Sequence, residues 1–236
     1  MTELLEFARG PLFLATFLFM IVGCTRLVVL RTREVFQVLS RTPKKDVPWR
    51  NVMSSSAEWI MPVRHLFGQV PVLSIASVAF HVGLIVTPVF LAAHVYLWSD
   101  ALGFAIPVLS SSAADVLTIS TLVAMTILFG VRTFRPAARK LSRVSDYLLI
   151  LLFGILFLSG YFATHVESAP LPYTTLMLIH VMAGNLLFVL VPTTKLAHVV
   201  LFPFARLSGD LFWRLVPGAG DQVAEALRGS NEGAEI

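Results

Sequence analysis

The sequence predicts an all-α integral membrane protein, a bundle of five transmembrane helices. Three observations predict it. Of its 236 residues, 56% are hydrophobic and only 14% charged, with a mean hydropathy of +0.80. A water-soluble domain needs more polar surface than that. Five apolar stretches are long enough to cross a bilayer, whose hydrocarbon takes about 20 residues of helix. The basic residues gather in alternate connecting segments.

The five stretches run over residues 12–30, 71–98, 116–131, 147–163 and 176–202. Strands are excluded, because a membrane barrel needs short alternating segments instead. The second and fifth stretches are long enough to tilt or to reach into the interface. Arg26 lies near the inner end of the first span, where its stem can snorkel. The segment after that span carries Arg31, Arg33, Arg41, Lys44, Lys45, Arg50 and Arg64. The segment after the third carries Arg132, Arg135, Arg139, Lys140 and Arg143. The segments after the second and fourth carry no Lys or Arg. The positive-inside rule then sets the N-terminus outside and the C-terminus in the cytoplasm of a bacterial or archaeal inner membrane. Anionic lipid or a docking partner is a second use for the same charges; no nucleic-acid partner is expected.

Residues 57–67 mix Trp59, Ile60, Met61, Leu66 and Phe67 with Glu58, Arg64 and His65, a pattern for a short helix lying at the interface. Pro62 must start that helix or break it. Residues 1–216 form one membrane domain without repeats, and residues 217–236 a Gly-, Ala- and Glu-rich cytoplasmic tail. Cys24 is the one cysteine, which excludes an internal disulfide, an iron–sulfur cluster and a C-x-x-C-H haem attachment. Ile21-Val22-Gly23-Cys24 faintly resembles a lipoprotein processing site, but the apolar run resumes at Leu27, and no cleaved leader is expected.

The histidines carry the chemistry. Of His65, His81, His94, His165, His180 and His198, four fall in the second and fifth stretches, two in each. One intramembrane histidine reads as a packed, hydrogen-bonded residue; four, paired on two helices, read as ligands. Imidazole on both faces of an iron porphyrin holds haem for electron transfer. Two antiparallel helices with two histidines each can clamp two b haems, one near each membrane surface. His180 and His198 are 18 residues apart, a whole number of turns and about 27 Å along a continuous helix. His81 and His94 are 13 apart, about 20 Å and about 140° out of phase. Pro88 lies between them and can kink the helix. Helix direction pairs His81 with His198 on the inner side and His94 with His180 on the outer.

At these residues the sequence resembles the gamma subunit of respiratory nitrate reductase and related dihaem quinol-oxidising cytochromes b. The resemblance rests on Phe80-His81-Val82-Gly83, on Ile179-His180-Val181-Met182-Ala183-Gly184, on 186–192 and on Lys195-Leu196-Ala197-His198. Phe134-Arg135-Pro136-x-x-Arg139 and Ser145-Asp146-Tyr147 with the run to Leu151 also look like that family. It covers roughly residues 10–216. It implies a five-helix bundle with two bis-histidine b haems ligated by His81, His94, His180 and His198. It also implies quinol oxidation near the outer haem and electrons leaving through the inner one. The chain departs from the family in two places. His94 sits about one helical turn late, and the outer loop after the second span lacks the lysine associated with quinol binding.

Other residues complete the expected site. His165, beside Glu167 just past the fourth span, is a solvated loop histidine or a proton acceptor for quinol. Asp115, after Ser110–Ser112, is a helix N-cap or a second proton acceptor. Arg64, Arg132, Arg135 and Lys195 suit inner haem propionates, although each alone reads as a topology charge. Gly83 and Gly184 suit close approach of a porphyrin or of another helix. No catalytic metal cage or nucleophile is visible, so a partner must carry molybdenum, nickel–iron, flavin or iron–sulfur centres, with the cytoplasmic side favoured. The expected function is a dihaem electron-transfer subunit between the quinone pool, menaquinone included, and that partner. A membrane anchor with one haem or none is the alternative. A proton-relaying transporter is a weaker one, since the spans hold no carboxylate.

Overall fold

In a computed structural model of the chain, the described residues are 1–41, 50, 54, 71–104, 106–205 and 225. Every regular element among them is helical. Five helices are long and apolar enough to cross a membrane: Thr2–Gln37, Pro71–Phe90, Ser111–Phe134, Val144–Thr164 and Tyr173–Thr193. The chain is thus an all-α, multi-pass membrane protein whose spans meet lipid. Large apolar side chains such as Val22, Val116 and Leu148 are exposed on the helix surfaces, as hydrocarbon solvent allows. The expected interfacial helix at 57–67, with Arg64 and His65, lies outside the described residues, and so does the expected boundary at 216/217.

The elements, in order, are α1 (Thr2–Phe7), a π-helical turn (Ala8–Leu12), α2 (Phe13–Arg41), α3 (Pro71–Phe90), α4 (Ala92–Leu102), α5 (Ser111–Phe134), α6 (Pro136–Leu141), α7 (Val144–Thr164) and α8 (Tyr173–Thr193). Short 3₁₀ turns follow α7 at Val166–Ser168 and α8 at Lys195–Ala197. The first helical run therefore starts well before residue 12. The charges Glu3, Glu6 and Arg9 hid its early turns from an apolar count. Contacts divide the chain into two units, Met1–Thr16 with Val63–Leu187 and Phe17–Pro62 with Phe188–Ile236.

In the first unit, α3 packs on α5 through Gly83. A Cβ there would collide with Thr121, which is fully buried. Thr121 turns its hydroxyl back to the Leu117 carbonyl at 2.6 Å, so the small polar residue brings no unmet group into the contact. Phe80 on α3 meets Phe153 on α7 edge to face at 5.7 Å, a preferred aromatic geometry. The α5–α7 connection is fixed by polar ties. Tyr147 donates to the Arg132 carbonyl at 2.9 Å, and Arg132 reaches Ser142 at 3.3 Å and Asp146 at 3.8 Å. Pro136 opens α6 at a position where its missing N–H costs nothing.

The same unit holds a buried amide. Pro11 sits inside the π turn and cannot donate to the helix ladder. Asn185 of α8, 3% exposed, donates from Nδ2 to the Ala8 carbonyl at 2.9 Å and accepts from Thr16 Oγ1 at 2.8 Å. The amide ties the irregular backbone of the first span to the fifth. In the second unit, Gly23 lies against Pro192, where a Cβ would come within 2.6 Å of the proline Cβ. Phe17 meets Phe188 edge to face at 5.6 Å.

Asn185→Ala removes both bonds of the buried amide, to the Ala8 carbonyl and from Thr16 Oγ1, and is expected to destabilise the protein by about 1–3 kcal/mol. Thermal unfolding in detergent measures the loss. Gly83→Ala is expected to lower the same midpoint by overpacking against Thr121, at a cost of about 1–3 kcal/mol.

Candidate functional site

The site begins with a helix break. Pro88 has no N–H to give, and α3 ends two residues later at Phe90. Leu91 is extended (φ −67°, ψ 133°) and caps α4. The break is satisfied from both sides. Phe90 accepts from Leu109 N at 2.9 Å, and Leu91 accepts from His94 N at 2.9 Å and Val95 N at 2.8 Å. The second span is thus two helices rather than the single continuous one behind the 140° phase estimate. His94 stands on the first turn of α4.

The break brings His94 and His180 together. Their rings lie 6.0 Å apart, centre to centre, at an interplanar angle of 16°. His180 Nδ1 donates to the Leu156 carbonyl at 3.0 Å and lies 3.2 Å from Ser159 Oγ. That bond puts the ring lone pair on Nε2, as in metal-ligating histidines whose other nitrogen donates to a carbonyl. Gly160 makes the place for the ring: a Cβ on it would come within 3.0 Å of His180 Cε1. The His94 ring is buried with the Thr87 and Pro88 backbone within its reach, although no well-aligned bond forms at its Nδ1 among the described residues. Two imidazoles sharing one metal ion need roughly 4 Å between ligating nitrogens, given about 2.0–2.1 Å for each bond as on zinc. Parallel rings with centres 6.0 Å apart are compatible with that span.

His81 and His198 belong to different units and are taken singly. His81 donates from Nδ1 to the Ser77 carbonyl at 2.7 Å, and His198 from Nδ1 to the Lys195 carbonyl at 2.7 Å. Each bond directs the lone pair to Nε2. The expectation of one unbroken helix from His180 to His198 does not hold. Pro192 withdraws a donor, α8 stops at Thr193, and Thr194 is extended (φ −127°, ψ −173°). Thr194 Oγ1 then accepts from Leu196 N, and helix resumes from His198 to Ala205. The whole-turn phase relation therefore does not apply.

Of the cations expected near propionates, Arg132 is engaged with Ser142 and Asp146, Arg135 is exposed at the start of α6, and Lys195 is exposed on the 3₁₀ turn. Arg64 lies outside the described residues. Gly83 makes its close approach to Thr121, whereas a Cβ on Gly184 would only touch Leu156 at 4.0 Å.

Beyond Gly160, α7 carries a second polar group. His165 Nε2 lies 3.4 Å from Asp115 Oδ2 of α5. Its ring stacks on Tyr161 at 4.2 Å and 18°, and its Nδ1 lies 3.0 Å from the Tyr161 carbonyl. Asp115 is not the N-cap of α5. That place belongs to Ser110, whose Oγ accepts from Ala113 N at 3.3 Å. Three hydroxyls precede Asp115, and the earliest takes the cap, which releases the carboxylate for His165. Glu167 is exposed on the 3₁₀ turn. The sequence reading missed Leu156, Ser159, Gly160 and Tyr161. The signal was the small pair Ser159-Gly160 in an otherwise bulky helix, a place where a neighbour can approach closely.

The chain is 28% identical over 205 residues to a protein of Nitratidesulfovibrio vulgaris that carries only the name "Protein", a match spanning 85% of this chain and 89% of that one. No protein-family model matches the chain, and no solved structure does.

Nitrogen-15 NMR of histidine-labelled protein is expected to show His180 protonated at Nδ1. Gly160→Leu should abolish that signal's hydrogen-bonded shift by forcing the ring off the Leu156 carbonyl.

Proposed function

We propose that this chain is the dihaem b membrane subunit of a respiratory oxidoreductase complex, exchanging electrons between the quinone pool and a partner catalytic subunit. One observation carries the reading: two intramembrane imidazoles lie parallel with centres 6.0 Å apart, one anchored through Nδ1 and the other buried just after the helix break. Such a pair suits the two axial positions of one haem iron. His94 and His180 would hold the outer haem, and the resemblance implies His81 and His198 for the inner one. Haem iron supplies one-electron chemistry when bound. The chain's own residues do the holding. Leu156 fixes the tautomer of His180, Gly160 gives its ring room, and the Leu91 break turns His94 toward it. The likeness of the histidine segments to the nitrate reductase gamma subunit supports the same reading. The basic segments favour a partner on the cytoplasmic side, with N-terminus outside.

A reduced-minus-oxidised absorbance spectrum tests it. Two b haems per chain are expected, falling to one in His94→Ala or His180→Ala. His198→Ala should lose the other haem and cut electron delivery to the partner. A purified chain with no α band overturns the proposal, and full haem content in all three variants overturns the ligand assignment.

A further inference from the structure

Two polar side-chain atoms flank the Pro88 break, Thr87 Oγ1 before it and His94 Nδ1 after it. Both are buried, and neither makes a well-aligned hydrogen bond among the described residues. Thr87 departs from the other threonines of the spans. Thr16, Thr121, Thr126, Thr133 and Thr193 each turn the hydroxyl back to the carbonyl four residues earlier, which meets a threonine's polar need inside a helix. Thr87 is 8% exposed and makes no such bond. Ordered water is the common partner of a buried group of this kind. The backbone holds the two atoms near each other. The Thr87 carbonyl accepts from Leu91 N at 3.0 Å, and the Leu91 carbonyl from His94 N at 2.9 Å. The His94 ring comes within reach of the Thr87 and Pro88 backbone. Pro88 also has no N–H to give the Leu84 carbonyl, three residues before Thr87.

We infer that the break binds an ordered water joining Thr87 Oγ1 to His94 Nδ1, which makes Thr87 a positioning residue for the His94 ring. The donors and acceptors balance. The water accepts from the Thr87 hydroxyl and from His94 Nδ1–H, and its own two hydrogens go to the Leu84 and Pro88 carbonyls. Four polar partners suit a buried water. The ring hydrogen of His94 is then on Nδ1 and the lone pair on Nε2. That is the tautomer the Leu156 carbonyl sets in His180. The two facing imidazoles are thereby matched, one oriented by a carbonyl and the other by water. The water site stands on these atoms alone; its bearing on iron rests on the haem-binding role proposed above. A hydrogen bond given by the far ring nitrogen raises the basicity of a ligating histidine, which favours the ferric state of a bound haem over the ferrous.

Nitrogen-15 NMR of the histidine-labelled full chain in detergent reads the water directly. Dithionite keeps any bis-histidine haem ferrous and diamagnetic. The His94 Nδ1–H signal, assigned by its loss in His94→Ala, should show a cross-peak to water. Thr87→Val removes the hydroxyl at nearly constant shape and should abolish that cross-peak; Thr87→Ser keeps the hydroxyl and should retain it. Redox titration of the same proteins should show one haem midpoint rising in Thr87→Val and returning in Thr87→Ser, a rescue that a lost packing contact would not give. A His94 hydrogen on Nε2, no water cross-peak in the unsubstituted chain, or a cross-peak that survives Thr87→Val overturns the inference. Unchanged midpoints in Thr87→Val overturn the positioning role. Haem content on the same samples judges the proposed function separately. No haem with the cross-peak intact sinks that function alone, and two haems without the cross-peak sink the water site alone.

Discussion

Inside hydrocarbon, backbone that leaves the helix must find its hydrogen bonds within the protein, since no water is there to supply them. The irregular places in this chain obey that constraint with visible devices. At Leu91 the segment before α5 reaches back, with Leu109 N bonded to Phe90 O. At the π turn a buried amide, Asn185, serves the Ala8 carbonyl. At Thr194 the residue's own hydroxyl bridges Leu190 O and Leu196 N. Each break has a proline within a few residues, and each is held rather than loose. The constraint explains why the breaks can stand where they do, and two of them lie beside histidines.

The small residues answer a second requirement, close approach without cavities. Gly83 meets Thr121, Gly160 meets His180, and Gly23 meets Pro192. Helices in lipid gain little from burying leucine, because the solvent is equally apolar. Contact at small residues and internal hydrogen bonds therefore hold more of the packing than they would in water. Thr121, Ser159 and Asn185 fit this account, each buried and each hydrogen-bonded within the protein.

The number and type of the membrane helices were legible in the sequence, because length and apolarity alone define a span. Their interruptions were not. Pro88 announced a kink, but nothing local announced that the chain would run on for two residues and turn at Leu91. The starting residue of the first helix was missed because Glu3, Glu6 and Arg9 interrupt the apolar pattern without interrupting the helix. For the candidate site, the histidines themselves stood out, since an ionisable ring is costly in lipid. Their relation did not. The 140° offset for His94 and the whole-turn agreement for His198 both assumed unbroken helices, and both helices break. Asp115 suits a cap or a proton acceptor by sequence alone; Ser110, with the same capping chemistry and an earlier place, takes the cap.

A helix phase argument is a statement about rigid geometry, and a proline between the two residues removes its premise. In the second span the break turned an unfavourable phase into a close pair of rings. In the fifth, a break near Pro192 removed a favourable one. Prolines and histidines share these spans for a physical reason. A ligand on a continuous helix can point only where 100° steps allow, whereas a ligand just after a break takes its direction from the cap that re-starts the helix. His94 follows Leu91 by three residues, and His198 follows Thr194 by four. In both places the cap, not the helix that enters the membrane, sets where the imidazole sits. The aim of such a ring is therefore decided by hydrogen bonds at the break, which in this chain are Leu109 N to the Phe90 carbonyl for one and Leu196 N to the Thr194 hydroxyl for the other.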